Sequence, residues 1–159
     1  MIVPTPNLAI WNDETGYPTP GINATNFRIA FSRLPSVELF ANTITLPQIE
    51  LGVARQASPY LDMKQVGEKL VYTRFSIDFV LDSKLYNYKE LYNWMKALSV
   101  QGLNSATISA CSVLFDAGEF KFFEVFPVSI GSIEFDAKAT DLIYPSCTVS
   151  FECDRYEIA

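Results

Sequence analysis

The switch from strand spacing to helix spacing between Glu68 and Ser99 constrains this chain more than any other feature. Within Lys69 to Asp82, Phe75, Ile77, Phe79 and Leu81 alternate with Ser76, Asp78 and Val80, which predicts a strand with one buried face. Asp82-Ser83 stops that strand, because either side chain accepts a bond from the free amides of a helix start. From Lys84 to Leu98 the apolar spacing becomes helical: Tyr88, Leu91, Met95 and Leu98 share one stripe with Trp94 at its edge, while Lys89, Glu90 and Lys96 lie off it. A sheet face and a helix stripe this close in sequence are expected to pack together and form the core.

A chain of 159 residues suits one domain, large enough to bury a core without metals or disulfides. No run of about 18 apolar residues is present, which argues against a membrane-spanning helix. The start, Met-Ile-Val-Pro-Thr-Pro-Asn, lacks a basic cluster followed by an apolar run, so synthesis and residence in a cytoplasm are expected. The net charge of −6 is the wrong sign for gripping nucleic acid through phosphates, though it suits ordinary solubility or a surface past which a polyanion slides. Cys111, Cys147 and Cys153 have no Cys-x-x-Cys spacing and there is no histidine, so a His-based triad is excluded, and neither a metal site nor a cofactor is expected. The three thiols read as small buried hydrophobes.

Residues 1–25 carry four prolines and no periodicity, and read as an extended arm. Ile2, Val3, Leu8, Ile10 and Trp11 imply that the arm lies on its own domain or, by preference, on a neighbouring subunit. Phe27, Ile29 and Phe31 alternate as a half-buried strand, Leu34-Pro35-Ser36 turns it, and Val37 to Thr45 is expected to pair back as a hairpin. Gln48 to Arg55 is a short strand of mixed pattern. Gln56 to Gly67 reads as a long loop, whose Tyr60, Leu61 and Met63 either fold back or contact a partner. After a helix stop at Gly102, strands follow over Ala106 to Phe115, Phe120 to Pro127 and Val128 to Phe135, with a turn at Asp116 to Gly118 and a bulge at Gly131. Cys147, Val149, Phe151 and Cys153 then point inward against Thr148, Ser150, Glu152 and Asp154. The sum is seven or eight strands and one helix: a mainly β, two-sheet sandwich or barrel with a flanking α-helix.

Catalytic signatures are thin. There is no glycine-rich phosphate loop or nucleophile elbow, and Glu152 and Asp154 are spaced as a wet strand face, so the chain reads as a non-enzyme. The outward faces carrying Ser76 and Asp78, and Thr148, Ser150, Glu152 and Asp154, are either one solvated sheet face or, in a ring of copies, the lining of a shared hole.

The order of motifs resembles the tail tube proteins of contractile-tailed, T4-like bacteriophages. The resembling parts are Asn26-Phe-Arg-Ile-Ala-Phe, the segment ending in Leu46-Pro47, Gly67 to Asp82 running into the helix with Tyr92-Asn-Trp94, and the block from Val125-Phe-Pro-Val-Ser-Ile-Gly-Ser-Ile-Glu-Phe to Val149-Ser-Phe-Glu-Cys-Asp-Arg-Tyr156. The resemblance implies a tube-like domain over residues 26–159, six copies to a ring, and stacked rings forming a virion tail tube through which double-stranded DNA passes without specific binding. It implies contacts with sheath and baseplate proteins and none with membrane. It places Asp78, Thr148, Ser150 and Glu152 nearest the lumen, and Tyr60, Leu61 and Met63 in the element that reaches the next ring. The arm is longer than is usual in the family, so a baseplate protein that initiates the tube is an alternative; the tube of type VI secretion shares the architecture. A monomeric β-sandwich binding module, with the Phe120 to Phe126 strand as its groove, is the alternative of another class.

Overall fold

The computed structural model describes residues 25–34, 41–102, 109–115 and 118–159. Residues 1–24 of the arm, the turn at 35 and 36, the first part of the strand expected from Val37, the start of the strand expected from Ala106, and residues 116 and 117 of the hairpin turn lie outside them. Nine strands and one helix are described: β1 Phe27–Phe31, β2 Ala41–Thr45, β3 Ile49–Gln56, β4 Met63–Tyr72, β5 Phe75–Val80, α1 Tyr86–Gln101, β6 Ser109–Phe115, β7 Gly118–Ile130, β8 Ser146–Glu152 and β9 Arg155–Ile158. The mainly β reading with one flanking helix is borne out.

Seven strands form one antiparallel sheet in the order β1-β6-β7-β8-β5-β2, with β9 beside β7, and β3 and β4 form a separate two-stranded sheet. The 13 residues of β7 merge what the sequence reads as two strands. Phe122 and Val125 are both buried although they lie three apart. An extra residue must therefore sit between them: Cys111 pairs Phe122 while Ser109 pairs Val125, and Glu124 takes a left-handed φ of 53°. A second register shift between Pro127 and Ser129 bends the strand again, so the irregularity expected at Gly131 lies earlier in the chain. β7 pairs β6 from Gly118 to Val125 and β9 from Phe120 to Phe123, and from Phe126 onward it pairs β8. The sheet folds over at this corner. Phe31 of β1 meets Phe151 of β8 at 5.1 Å, and Phe75 of β5 stacks on Phe122 of β7 at 4.7 Å.

Other pairings also depart from sequence order. β2 does not pair back on β1; it pairs β5, and among the described strands β1 and β2 end the main run of the sheet while β9 is paired on β7 alone. The strand expected from Lys69 to Asp82 is broken at Thr73 and Arg74, where the ribbon β3–β4 joins the body.

The helix closes the core. Leu91 and Trp94 are its most buried apolar residues, so Trp94 stands at the centre of the stripe, 6.1 Å from Phe151, with the Arg33 guanidinium 5.5 Å from its ring. The helix opens at Tyr86 with Leu85 as its N-cap and no capping side chain, so the cap expected at Asp82-Ser83 is displaced; Asp82 Oδ1 instead accepts from the amides of Lys84 and Tyr86 across the turn. Asn87, absent from the sequence reading, is fully buried: its Nδ2 donates to the Val80 carbonyl at 2.8 Å and its Oδ1 accepts from the amide of Tyr88. Through it the helix start is bonded to the end of β5. Gly102 ends the helix at φ 68°, donating to the Leu98 carbonyl.

Cys111 and Cys147 are buried and Cys153 half-buried. Burial pushes all three thiols up, and the carboxylates of Asp154 and Glu152 help raise Cys153 to about 11. Since the thiolate is the reactive form, a thiol-specific disulfide reagent at pH 8 is expected to label the folded protein slowly, and all three cysteines within minutes in guanidinium. Fast labelling of the native protein would contradict this packing.

Candidate functional site

The β3–β4 ribbon prolongs the β2–β5 ladder. The Thr73 amide donates to the Gln48 carbonyl at 3.0 Å, and the Gln48 amide donates to Thr73 Oγ1 at 2.9 Å, so the two chain segments stay side by side as they leave the sheet. Beyond this junction Ile49 pairs Tyr72, Leu51 pairs Leu70 and Val53 pairs Val66. Directly opposed residues of an antiparallel pair share a face, so Ile49, Tyr72, Leu51 and Leu70 form one apolar stripe, and Val53 and Val66 add a further apolar pair beyond a register shift. At the base, Tyr72 packs edge-on against Tyr156 of β9, with ring centroids 5.3 Å apart. Ile49, Leu51, Val53, Val66 and Leu70 are exposed. Two strands alone are marginal in water, so a ribbon carrying such a stripe is suited to a partner surface.

The connection between β3 and β4 is 57–62, half the length expected from the sequence, because Met63 to Gly67 is strand and not loop. Tyr60 and Leu61 sit in it, 98% and 74% exposed, and Met63 opens β4 opposite Gln56. They do not fold back onto the body. The apolar stripe below them escapes the sequence reading, although the alternation of Ile49, Leu51 and Val53 is its signal.

The second feature is the outward face of β2, β5 and β8. Thr43, Asp78 and Thr148 stand abreast in register, as do Thr45, Ser76 and Ser150, with Ser129 of β7 beside Ser150. Asp78 accepts from the hydroxyl of Thr43 at 2.8 Å and from that of Thr148, so its carboxylate is fixed between two neighbouring strands. Glu152 lies on the same face at the ribbon end and pairs with Arg74, Nε to Oε1 at 2.7 Å. Asp78, Thr148, Ser150 and Glu152 thus converge, as strand parity requires. Among the described residues of this face and its ribbon end, Arg74 is the only cation, and it is paired with Glu152. The exposed Arg74–Glu152 pair contributes little to stability.

Loop 131–145 and the start of α1 flank a groove of about 690 Å³ at the other end of this sheet. The loop exposes Phe135, Leu142, Ile143 and Tyr144. Among the described residues no group of three or more His, Cys, Asp or Glu side chains is placed to hold a metal ion, and no helix is long and apolar enough to cross a membrane.

No protein-family model and no curated protein matches this sequence. Solved structures do share its fold. The chain is similar to one in the sheath–tube complex of an extracellular contractile injection system, PVC, in the extended state, with TM-score 0.65 and 18% identity over 87% of this chain and 91% of that one. It is similar to a chain of the baseplate of the anti-feeding prophage, AFP, with TM-score 0.64 and 9% identity over 90% of this chain and 97% of that one. A chain in the AFP tube-terminating cap gives TM-score 0.66 and 16% identity over 95% and 98%. The shared property is the fold, which occurs in chains of contractile systems, and these neighbours do not single out T4-like phages.

Proposed function

We propose that this chain is a structural protein whose copies close into six-membered rings and stack into the hollow tube of a contractile tail. The observation that carries the reading is the ribbon: a prolonged β2–β5 ladder with an exposed apolar stripe and tip, on a fold shared with chains of sheath–tube, baseplate and cap assemblies. The edges of β1 and β2 complement it, because closing a ring of sheets removes open edges.

In that ring the hydroxyl face lines the hole, with Asp78, Thr148, Ser150 and Glu152 toward the axis. Its chemistry suits transport. Among the described residues of this face a phosphate backbone meets hydroxyls, fixed carboxylates and one arginine already paired to Glu152, so double-stranded DNA passes without being held. In this reading the particle is a phage virion whose tail is assembled in the host cytoplasm, residues 1–25 reach a neighbouring subunit, and sheath and baseplate proteins are further partners. No catalytic step is assigned to the chain.

A second reading is favoured by the fold likeness to baseplate and cap chains: the protein forms a terminal ring of such a tube. Negative-stain images separate the two, since a main tube protein makes long tubes and a terminal one makes single rings. Changing Tyr60 and Leu61 to aspartate is expected to leave the subunit folded, with an unchanged thermal melt, and to leave rings that do not stack. Tubes of normal length from that variant would remove the ribbon tip from the stacking contact, and a monomer at high concentration would remove the ring.

A further inference from the structure

The ribbon and the groove lie at opposite ends of the same strands. β5 enters the sheet at Phe75, beside the ribbon, and leaves it at Val80, where the Leu81 amide donates to the Pro145 carbonyl and the groove begins. β8 gives the same order: Phe151 pairs Phe75 at the ribbon end and Ser146 pairs Val80 at the groove end. At about 3.4 Å per residue, the eight residues of β3 reach roughly 27 Å and the six of β5 roughly 20 Å. A ribbon longer than β5, the strand it prolongs, is suited in a coaxial stack to reach the following copy.

Charge and shape at the two ends are complementary. Near the ribbon tip Arg55 stands directly opposite Lys64, a like-charge cross-strand pair that the one carboxylate within 55–64, Asp62, offsets only in part, so the tip is net positive. Segment 131–145 carries Glu134, Asp136 and Asp141 against the single cation Lys138, and Asp82 and Lys84 in the groove lining cancel, so the socket is net negative. Between that segment and the helix start, the groove offers Leu81, Leu85, Tyr86, Phe135 and Tyr144, enough apolar lining for the side chains of Tyr60 and Leu61.

We infer that this groove is the socket for the ribbon tip of a second copy of the chain. Tyr60 and Leu61 enter between α1 and segment 131–145, and Arg55 and Lys64 face Glu134, Asp136 and Asp141. The inference rests on the stacked-ring reading and adds the acceptor, a head-to-tail contact that repeats without closing.

Two exposed charge-reversal variants test it: Arg55→Glu with Lys64→Glu on the tip, and Glu134→Lys with Asp141→Lys on the socket. Each alone is expected to give rings and a complete loss of tubes in negative stain. Mixed one to one they are expected to recover tubes of wild-type length, because each reversed tip then meets a reversed socket and each native tip a native socket. As a measurement independent of charge, Leu61→Cys combined with Leu142→Cys is expected to give a ladder of covalent multimers on oxidation, absent from either single variant. Wild-type tubes alongside variants that also stack normally, mixtures that stay as rings, or no ladder would overturn the socket and give the groove to a different molecule. Wild-type protein that makes no rings at all would instead overturn the stacked-ring reading beneath it.

Discussion

Phe151→Ala is expected to lower the stability of the subunit by about 4 kcal/mol, a large part of the 5–15 kcal/mol that holds a typical domain folded. Phe151 is fully buried and lies where the layers meet: Phe31 from β1 at 5.1 Å, Phe75 from β5 at 5.4 Å and Trp94 from α1 at 6.1 Å surround its ring. Removing it leaves a cavity walled by three aromatic rings from three elements, none of which can move in without leaving its own strand or helix. At this chain length the loss corresponds to a fall in melting midpoint on the order of 10 °C. Trp94→Ala is expected to follow closely, whereas Phe135→Ala, on an exposed side chain, is expected to change the melt by less than about 1 kcal/mol. A Phe151→Ala melt within error of wild type would mean that the layers do not close on this ring.

The residues that set this core are legible in the sequence where one face is buried and one is wet. Phe75, Ile77, Phe79 and Leu81 are all buried, as are Cys147, Val149 and Phe151, and strand parity puts Asp78 and Thr148 on the opposite, outward faces, while the β5–β8 register sets them side by side. Gly102 ends the helix for the reason that a glycine ends helices. What escapes has identifiable causes. A bulge inverts parity, so β7 reads as two strands when it is one. Pairing of β2 with β5 and not with β1 depends on long-range packing that no local pattern encodes. The ribbon escapes because apolar alternation is ordinarily a sign of a core, and here it lies on a surface. Asn87 escapes since a buried amide looks, in sequence, like any polar helix residue. Tyr60, Leu61 and Met63 are exposed at and beside the ribbon tip, but their setting is a strand connection and not the long free loop expected.

Gly67→Ala is expected to open the outer half of the ribbon and abolish assembly, while Gly52→Ala is expected to do neither. A Cβ on Gly67 would collide with the carbonyl oxygen and carbonyl carbon of Gly52, both backbone atoms that cannot rotate away. A Cβ on Gly52 would meet the Lys69 carbonyl oxygen at 3.5 Å, an ordinary contact. The close approach follows from the register: Leu51 pairs Leu70 and Val53 pairs Val66, so three residues of β4 oppose one of β3 and the backbones cross at the glycines. Overpacking a fixed contact costs about 1–3 kcal/mol, and a two-stranded ribbon in water has no such reserve. Strain therefore relaxes by separating residues 53–66, which carry Arg55, Tyr60, Leu61 and Lys64. The body, whose core does not include the ribbon, is expected to melt within about 1 kcal/mol of wild type. Limited proteolysis reads the opening without relying on assembly: the variant is expected to be cut within residues 53–66 at least tenfold faster than wild type, and Gly52→Ala at the wild-type rate. Equal cleavage of both variants, or tubes from Gly67→Ala, would show that the two strands do not cross at this pair of glycines.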